Sequence, residues 1–248
     1  MDFFVDMADI INKSSPIKKM LDQKMHRKIM FEILRDIYSS DLGFILGFKG
    51  GTMLYFFYNL ERFSVDLNFD LLDTAKEGII LKKVEKILNP YGKISDIYNK
   101  NYTLFALLNY KNGERNLKIE ISKKVIYKNK YEFKNFYGTD IKCMDIEDSF
   151  AHKLLAATGR GTAVNRDFFD LYFFWRNGYE FNQEIIKKIT KKSVKEYLKF
   201  LRVYVEKNLN QKNVLQGLGE LVSADQKNWI KKNLKQELLS YIDFNLTI

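Results

Sequence analysis

Residues 17–40, IKKMLDQKMHRKIMFEILRDIYSS, alternate apolar and charged positions at helical spacing and predict an amphipathic helix. The short apolar run FILGFK (44–49) reads as a buried strand that Gly50 and Gly51 break. TMLYFFYNL (52–60) fits a helix. FSVDLNFDL (63–71) then switches to period two, the pattern of a half-buried strand. TAKEGIILKKVEKIL (74–88) is helical again and ends before Pro90.

A β-rich stretch follows. YTLFALLNY (102–110) and RNLKIEIS (115–122) flank Asn112-Gly113, and the dipeptide predicts a hairpin because both residues tolerate positive φ. KYEFKNFYG and DIKCM add two candidate strands before residue 145. Beyond that point the pattern is helical to the end. DIEDSFAHKLLAAT (145–158) opens with acids suited to a helix N-terminus, NRDFFDLYFFWRN (165–177) follows, and further helical segments complete the chain. The predicted architecture is α+β. An N-terminal helix and a mixed α/β core occupy residues 1–144, and an all-helical domain occupies 145–248.

Composition changes this picture little. The chain has 248 residues, 46% of them hydrophobic, which excludes wholesale disorder. Pro16 and Pro90 are the only prolines and no Pro/Gly/Ser linker is visible, so the two domains are expected to be closely joined. No apolar run approaches about 18 residues. The stretch MDFFVDMADIINKSS has acids where a signal peptide needs a basic segment, and the expectation is a cytoplasmic protein with no membrane partner. Cys143 is the single cysteine, which excludes an internal disulfide and a cysteine-based zinc cluster. His26 and His152 are too few and too far apart in sequence to argue for a zinc site.

Charge narrows the partners. The net charge is +10, and the C-terminal part is the more basic per residue. Such an excess suits phosphate-bearing partners, and it equally suits a solvated lysine surface.

The strand at 63–71 carries the candidate chemistry. Ser64, Asp66, Asn68 and Asp70 fall on one face, while Val65, Leu67, Phe69 and Leu71 form the core face. Residues two apart on a strand are about 7 Å apart, so carboxylates there can converge on a divalent ion. Glu120 in LKIEI, flanked on its own face by Lys118 and Ser122, offers a further acid from another strand. Upstream, a strand followed by Gly50-Gly51-Thr52 and a helix exposes backbone N–H groups suited to phosphate. It also fits an ordinary tight turn, and no Gly-Lys-Ser/Thr of a Walker loop follows.

Lys49-Gly50-Gly51-Thr52, then Arg62-Phe63-Ser64 and Asp66-Leu67-Asn68-Phe69-Asp70, resembles the signature of the AbiEii/AbiGii toxin family. Those proteins are nucleotidyltransferase-like members of the DNA polymerase β superfamily. AHKLLAATGRGTAVNRDFFDLYFF is similar to the later family pattern, matching at Lys153, Arg160, Arg166, Asp167 and Asp170. The resemblance implies a polymerase-β-like mixed sheet with a helical C-terminal half. It implies a bacterial toxin with a cognate antitoxin, moving a nucleotide from an NTP to an acceptor such as tRNA with Mg²⁺ or Mn²⁺. Carried over by position, Lys49, Gly50, Gly51, Thr52, Arg62, Ser64, Lys153 and Arg166 would bind the nucleotide. Asp66, Asn68 and Glu120 would hold metal, and Asp167 and Asp170 would join them in catalysis from a facing helix.

Asn68 departs from the family pattern, which has Asp there. An amide oxygen ligates Mg²⁺ without contributing charge. Asp70 lies about 13 Å along the strand from Asp66 and cannot replace it. Two readings stand: a working transferase with one weaker ligand, or a degenerate protein that binds nucleotide, RNA or a partner without turnover. Arg166 and Asp170 are also spaced as an ordinary helix-surface pair, and FFDLYFFW reads as core rather than as a stacking surface.

Overall fold

The structure is a computed structural model that describes residues 21–74, 77–124 and 127–247. The N-terminal stretch read for targeting, and the start of the first predicted helix, lie outside these residues.

Helix α1 (Gln23–Tyr38) begins where the Asp22 carboxylate accepts from the Lys24 and Met25 N–H groups. Its buried stripe is His26, Met30, Ile33, Leu34 and Ile37, the spacing of one helix face. The single turn α2 (Leu42–Ile45) leads into β1 (Leu46–Lys49). The strand is shorter than its apolar run because Phe44 and Ile45 belong to that turn, with Phe44 exposed. Helix α3 (Gly50–Phe57) starts on the first glycine rather than on Thr52. It stops at Tyr58, followed by Asn59 in the left-handed region, a common helix terminator.

Strand β2 (Asp66–Leu71) is paired only from Asp66 onward, three residues later than the alternation predicts. The missing three residues are held elsewhere: the Phe63 N–H donates to the Leu221 carbonyl of the helical half at 2.7 Å. The core face is as expected, with Val65, Leu67, Phe69 and Leu71 all buried. Helix α4 (Glu77–Leu88) runs into a 3₁₀ turn containing Pro90.

Strand β3 (Lys93–Lys100), which the sequence reading did not predict, has a burial pattern with no fully buried position. Strands β4 (Thr103–Asn109) and β5 (Leu117–Ser122) pair antiparallel across the Asn112-Gly113 loop, where Gly113 takes the left-handed conformation. Strands β6 (Tyr131–Phe136) and β7 (Thr139–Met144) are joined by Tyr137-Gly138, both at positive φ, the conformation a two-residue hairpin turn requires. The seven strands form one sheet in the order β3-β4-β5-β2-β1-β7-β6. The β2–β5 and β1–β7 pairs are parallel and the others antiparallel. Asp66 and Asn68 therefore sit on the central strand.

Helices α5 (Ile146–Gly159), α6 (Asn165–Arg176), α7 (Gln183–Thr190), α8 (Val194–Asn208) and α9 (Ala224–Thr247) complete the described chain. Asp145 caps α5 by accepting from the Glu147 and Asp148 N–H groups. The aromatic run of α6 is core: Phe168, Phe169, Phe173, Phe174 and Trp175 are buried, and Phe174 stacks on Phe150 at 4.4 Å. Each such side chain contributes about 1.5–3 kcal/mol by leaving water. The buried residues form one hydrophobic cluster that passes from the sheet into the helices. Cys143 is a buried, unbridged thiol whose pKa burial pushes up to about 12, so it is inert. Among the described residues no helix is long and apolar enough to cross a membrane.

Candidate active site

The parallel β2–β5 ladder sets Asp66 opposite Lys118 and Asn68 opposite Glu120, while β1 sets Lys49 opposite Asn68. Residues directly opposite share a face, so Lys49, Asn68 and Glu120 form one row across three strands. Asp66 lies diagonal to Glu120, about 8 Å away at Cα. The backbone carrying Asp66 is fixed on both sides. His26 Nε2 donates to the Val65 carbonyl at 2.9 Å, leaving Nδ1 to accept from the Tyr110 hydroxyl at 2.8 Å. Burial lowers the His26 pKa, consistent with this neutral tautomer. Thr52 Oγ1 donates to the Asp66 carbonyl at 2.5 Å and lies 2.9 Å from Ser64 Oγ. The Thr52 side chain, expected to hold phosphate, is thus fully buried and ties α3 to β2.

The two glycines have separate reasons. Gly50 has φ +84°, which side chains with a Cβ rarely adopt, and it packs against the Asn68 amide. Gly51 sits so close to its neighbours that a Cβ there would lie 2.9 Å from both Arg62 Nη2 and Ser64 Oγ. Arg62 is clamped and cannot move aside, so Gly51→Ala is expected to destabilise the fold by about 1–3 kcal/mol. Urea unfolding of the two proteins measures this, and a change under about 0.5 kcal/mol would mean the clamp yields. The N-cap of α3, Lys49, makes no side-chain cap bond, so the first-turn N–H groups have no capping side chain.

The opposite wall comes from α5 and α6. Ser149, His152, Lys153, Ala156 and Arg160 line the cleft at helical spacing, and Arg166 and Asp167 join them. Asp170, expected among the catalytic acids, does not line the cleft. It is fully buried, taking two hydrogen bonds from Arg62, Nε to Oδ1 at 2.6 Å and Nη2 to Oδ2 at 2.8 Å. Lys153 Nζ lies 2.5 Å from its Oδ2. Burial by itself would raise this carboxyl, but Arg62 and Lys153 outweigh it and hold its pKa below the usual carboxylate range. The helix-surface pair of Asp170 with Arg166 is therefore not formed. Arg62, read as a nucleotide ligand, spends its guanidinium on Asp170 and on the Phe63 carbonyl.

Asp70 has a similar structural role. Its carboxylate accepts from Lys49 Nζ at 2.5 Å, from the Tyr131 hydroxyl at 2.6 Å and from Asn129 Nδ2 at 3.3 Å. It fixes Lys49 at the cleft edge rather than facing a metal. Asn129 Oδ1 lies 2.7 Å from His152 Nε2. Burial, then the Lys49 charge, lowers the His152 pKa, so its ring is neutral and donates to Asn129. Sequence reasoning missed His152 and Ser149 as cleft residues. The signal was available, because Ser149 precedes Lys153 by one helical turn and His152 is its neighbour.

The cleft has a volume of about 420 Å³, within the range of small-ligand pockets. Its lining is more cationic than acidic: Lys49, Arg62, Lys118, Lys153, Arg160 and Arg166 against Asp66, Glu120 and Asp167. Two buried polar atoms here have no hydrogen-bond partner, Ser149 Oγ and Asp167 Oδ2. Arg160 Nε approaches Asp167 Oδ2 at 3.4 Å but does not form a hydrogen bond with it. Unsatisfied buried groups are rare and are the kind a bound ligand completes. Among the described residues no group of three or more His, Cys, Asp or Glu side chains is arranged to hold a metal. The donor set is two carboxylates and one amide oxygen. That fits Mg²⁺, which commonly takes one or two carboxylates and fills its octahedron with water and substrate phosphates.

Two solved structures from Helicobacter pylori are similar in fold. JHP933 aligns at TM-score 0.53 and 21% identity, covering 91% of this chain and 96% of its own. The other, described as a candidate nucleotidyltransferase, aligns at TM-score 0.57 and 21% identity, covering 91% and 99%. No curated protein matches the chain. Residues 32–239 match the family model described as nucleotidyl transferase AbiEii toxin, type IV TA system. That match covers most of the sequence, and the chain belongs to the AbiEii nucleotidyltransferase toxin family.

Proposed function

We propose that this protein transfers a nucleoside monophosphate from an NTP to a hydroxyl of an RNA acceptor, tRNA among the candidates, with Mg²⁺ or Mn²⁺. Transfer would be its toxic act in a bacterial cytoplasm, with a cognate antitoxin encoded nearby. The observation that carries this reading is the juxtaposition of Asp66 and Glu120 on neighbouring strands with the uncapped N-terminus of α3 in one cationic cleft. The N–H groups of Gly50 and Gly51 and the cations Lys118 and Arg166 bind the triphosphate. Lys153, shared between Asp170 and Asp167, supports them from behind. Asp66, Asn68 and Glu120 would hold the divalent ion, which when bound offsets charge building on the α-phosphate.

The acceptor oxygen bonds to the α-phosphorus as the bond to the α–β bridging oxygen breaks. Pyrophosphate leaves, and the hydroxyl proton passes to Glu120. Asp167, one of whose oxygens makes no hydrogen bond although Arg160 lies 3.4 Å away, accepts a hydrogen bond from the incoming substrate.

Asn68 favours a second reading, in which the same cleft binds nucleotide without turnover. Incubation of the protein with total bacterial RNA and each α-labelled NTP, with Mg²⁺, with Mn²⁺ and with EDTA, separates the two. Labelled RNA that EDTA abolishes is expected. A folded wild type that binds NTP but leaves RNA unlabelled, while Asn68→Asp labels it, would establish the degenerate reading.

A further inference from the structure

The row of side chains that runs through Asn68 does not end at Glu120. Through the β5–β4 ladder Glu120 lies opposite Phe105, and through the β4–β3 ladder Phe105 lies opposite Tyr98. The row therefore reads Lys49, Asn68, Glu120, Phe105, Tyr98 across five neighbouring strands on one face. At about 4.8 Å per strand, the two rings begin one strand beyond the last acid.

These rings are not core. The opposite face of β4, with Leu104, Ala106 and Leu108, packs inward, while Tyr98 and Phe105 belong neither to the hydrophobic cluster nor to the side chains packed against it. They stack on each other at 4.6 Å and 10°. Lys100 Nζ sits 4.4 Å from the Tyr98 ring centre, and Lys124 Nζ lies 5.8 Å from the ring of Tyr102, which is 65% exposed. Tyr98, Lys100, Tyr102 and Phe105 line a groove of about 620 Å³ that shares Glu120 with the cleft, and Lys124 lies beside it over Tyr102.

We infer that this hairpin is the acceptor platform: the 3′ end of a single-stranded nucleic acid stacks its terminal bases on Phe105 and Tyr98. Lys100 and Lys124 contact its phosphates, and its 3′ hydroxyl points to Glu120. Half-buried rings outside the core, beside an exposed Tyr102 and interleaved with lysines on an extended surface, suit unpaired bases, since every base has a face to stack and only unpaired ones are free to do so. The assignment of the 3′ end rests on the transferase reading. The stacking of single strands does not.

The test is fluorescence anisotropy with a 5′-fluorescein oligo(A) 12-mer RNA, its DNA counterpart and a blunt RNA duplex, in the absence of NTP. Single strands of both sugars are expected to bind, and the duplex to bind at least tenfold more weakly. Tyr98→Ala and Phe105→Ala are each expected to weaken single-strand binding on the order of tenfold. Tyr98→Phe, which keeps the stacking face, is expected to stay within twofold of wild type and controls for folding of the hairpin. NTP binding should be unchanged in all three variants. The inference is overturned if the wild type binds no single strand, if duplex binds equally well, or if both alanine variants bind like wild type. Ring-dependent binding without any label transfer would remove the transferase reading and keep the platform. Transfer that is indifferent to the rings would do the reverse.

Discussion

Asp66→Ala is expected to reduce nucleotide transfer by about 10³-fold or more while leaving the melting temperature within a few degrees of wild type. In a site with three full carboxylates, losing one still leaves two anions to hold a cation. Here Asn68 is neutral, so removing Asp66 leaves Glu120 as the single anion among the three proposed metal donors. Deleting one preorganised electrostatic contact costs about 10²–10³ in rate elsewhere, and a contact that also sets metal occupancy should lie at or beyond that range. Folding should be spared for a specific reason. The bond that ties this residue to α3 is accepted by its backbone carbonyl from Thr52, and alanine keeps that carbonyl. Single-turnover labelling with saturating NTP, alongside a thermal melt, measures both quantities. A rate within tenfold of wild type would remove Asp66 from the chemistry.

The same residue illustrates what was legible in the sequence. Period two along 63–71 assigned the core face and the polar face of β2 correctly, because alternation is a property of the strand alone. It also brought Asp66, Asn68 and Asp70 to one face. It could not distinguish their tasks, which depend on what packs beside them. Asp70 faces Lys49 and Tyr131, and Tyr131 comes from β6, reached only through the sheet order. The start of β2 was misjudged for a similar reason: Phe63 is held by Leu221, more than 150 positions away in the chain. Strand β3 was missed because KISDIYNK buries nothing fully, so no apolar period marks it. The motif at 166–170 announced three charged residues together. Only tertiary packing separates Asp167, at the cleft, from Asp170, sealed behind it.

That sealed residue carries the largest expected effect on stability. Asp170→Asn is expected to destabilise the protein by about 3–5 kcal/mol, because Arg62 is left as a buried cation without its anion. Arg62 is 4% exposed and cannot turn to water for compensation. Lys153 is less affected, since it also lies 3.5 Å from Asp167 Oδ1. Against a typical stability of roughly 5–15 kcal/mol this loss is large, and it corresponds to a fall in Tm on the order of 10 °C. The pH dependence has a fixed sign. The folded-state pKa of Asp170 is depressed, so its contribution is fully present above the unfolded value near 3.9 and fades as pH falls through the folded value. The gap between wild type and Asp170→Asn should therefore be constant from pH 7 down to about 5 and narrow below about 4. The narrowing begins as the unfolded carboxyl takes up a proton, and it is complete at the lower pH where the folded carboxyl does so too and comes to resemble the amide. Removing both charges at once, as in Arg62→Met with Asp170→Leu, should recover part of the loss, because no unpaired ion then remains buried. Urea unfolding at several pH values tests the set. A penalty below about 1 kcal/mol at pH 7, or a gap that widens with acid, would mean that the helical half is not fastened to the sheet by this pair.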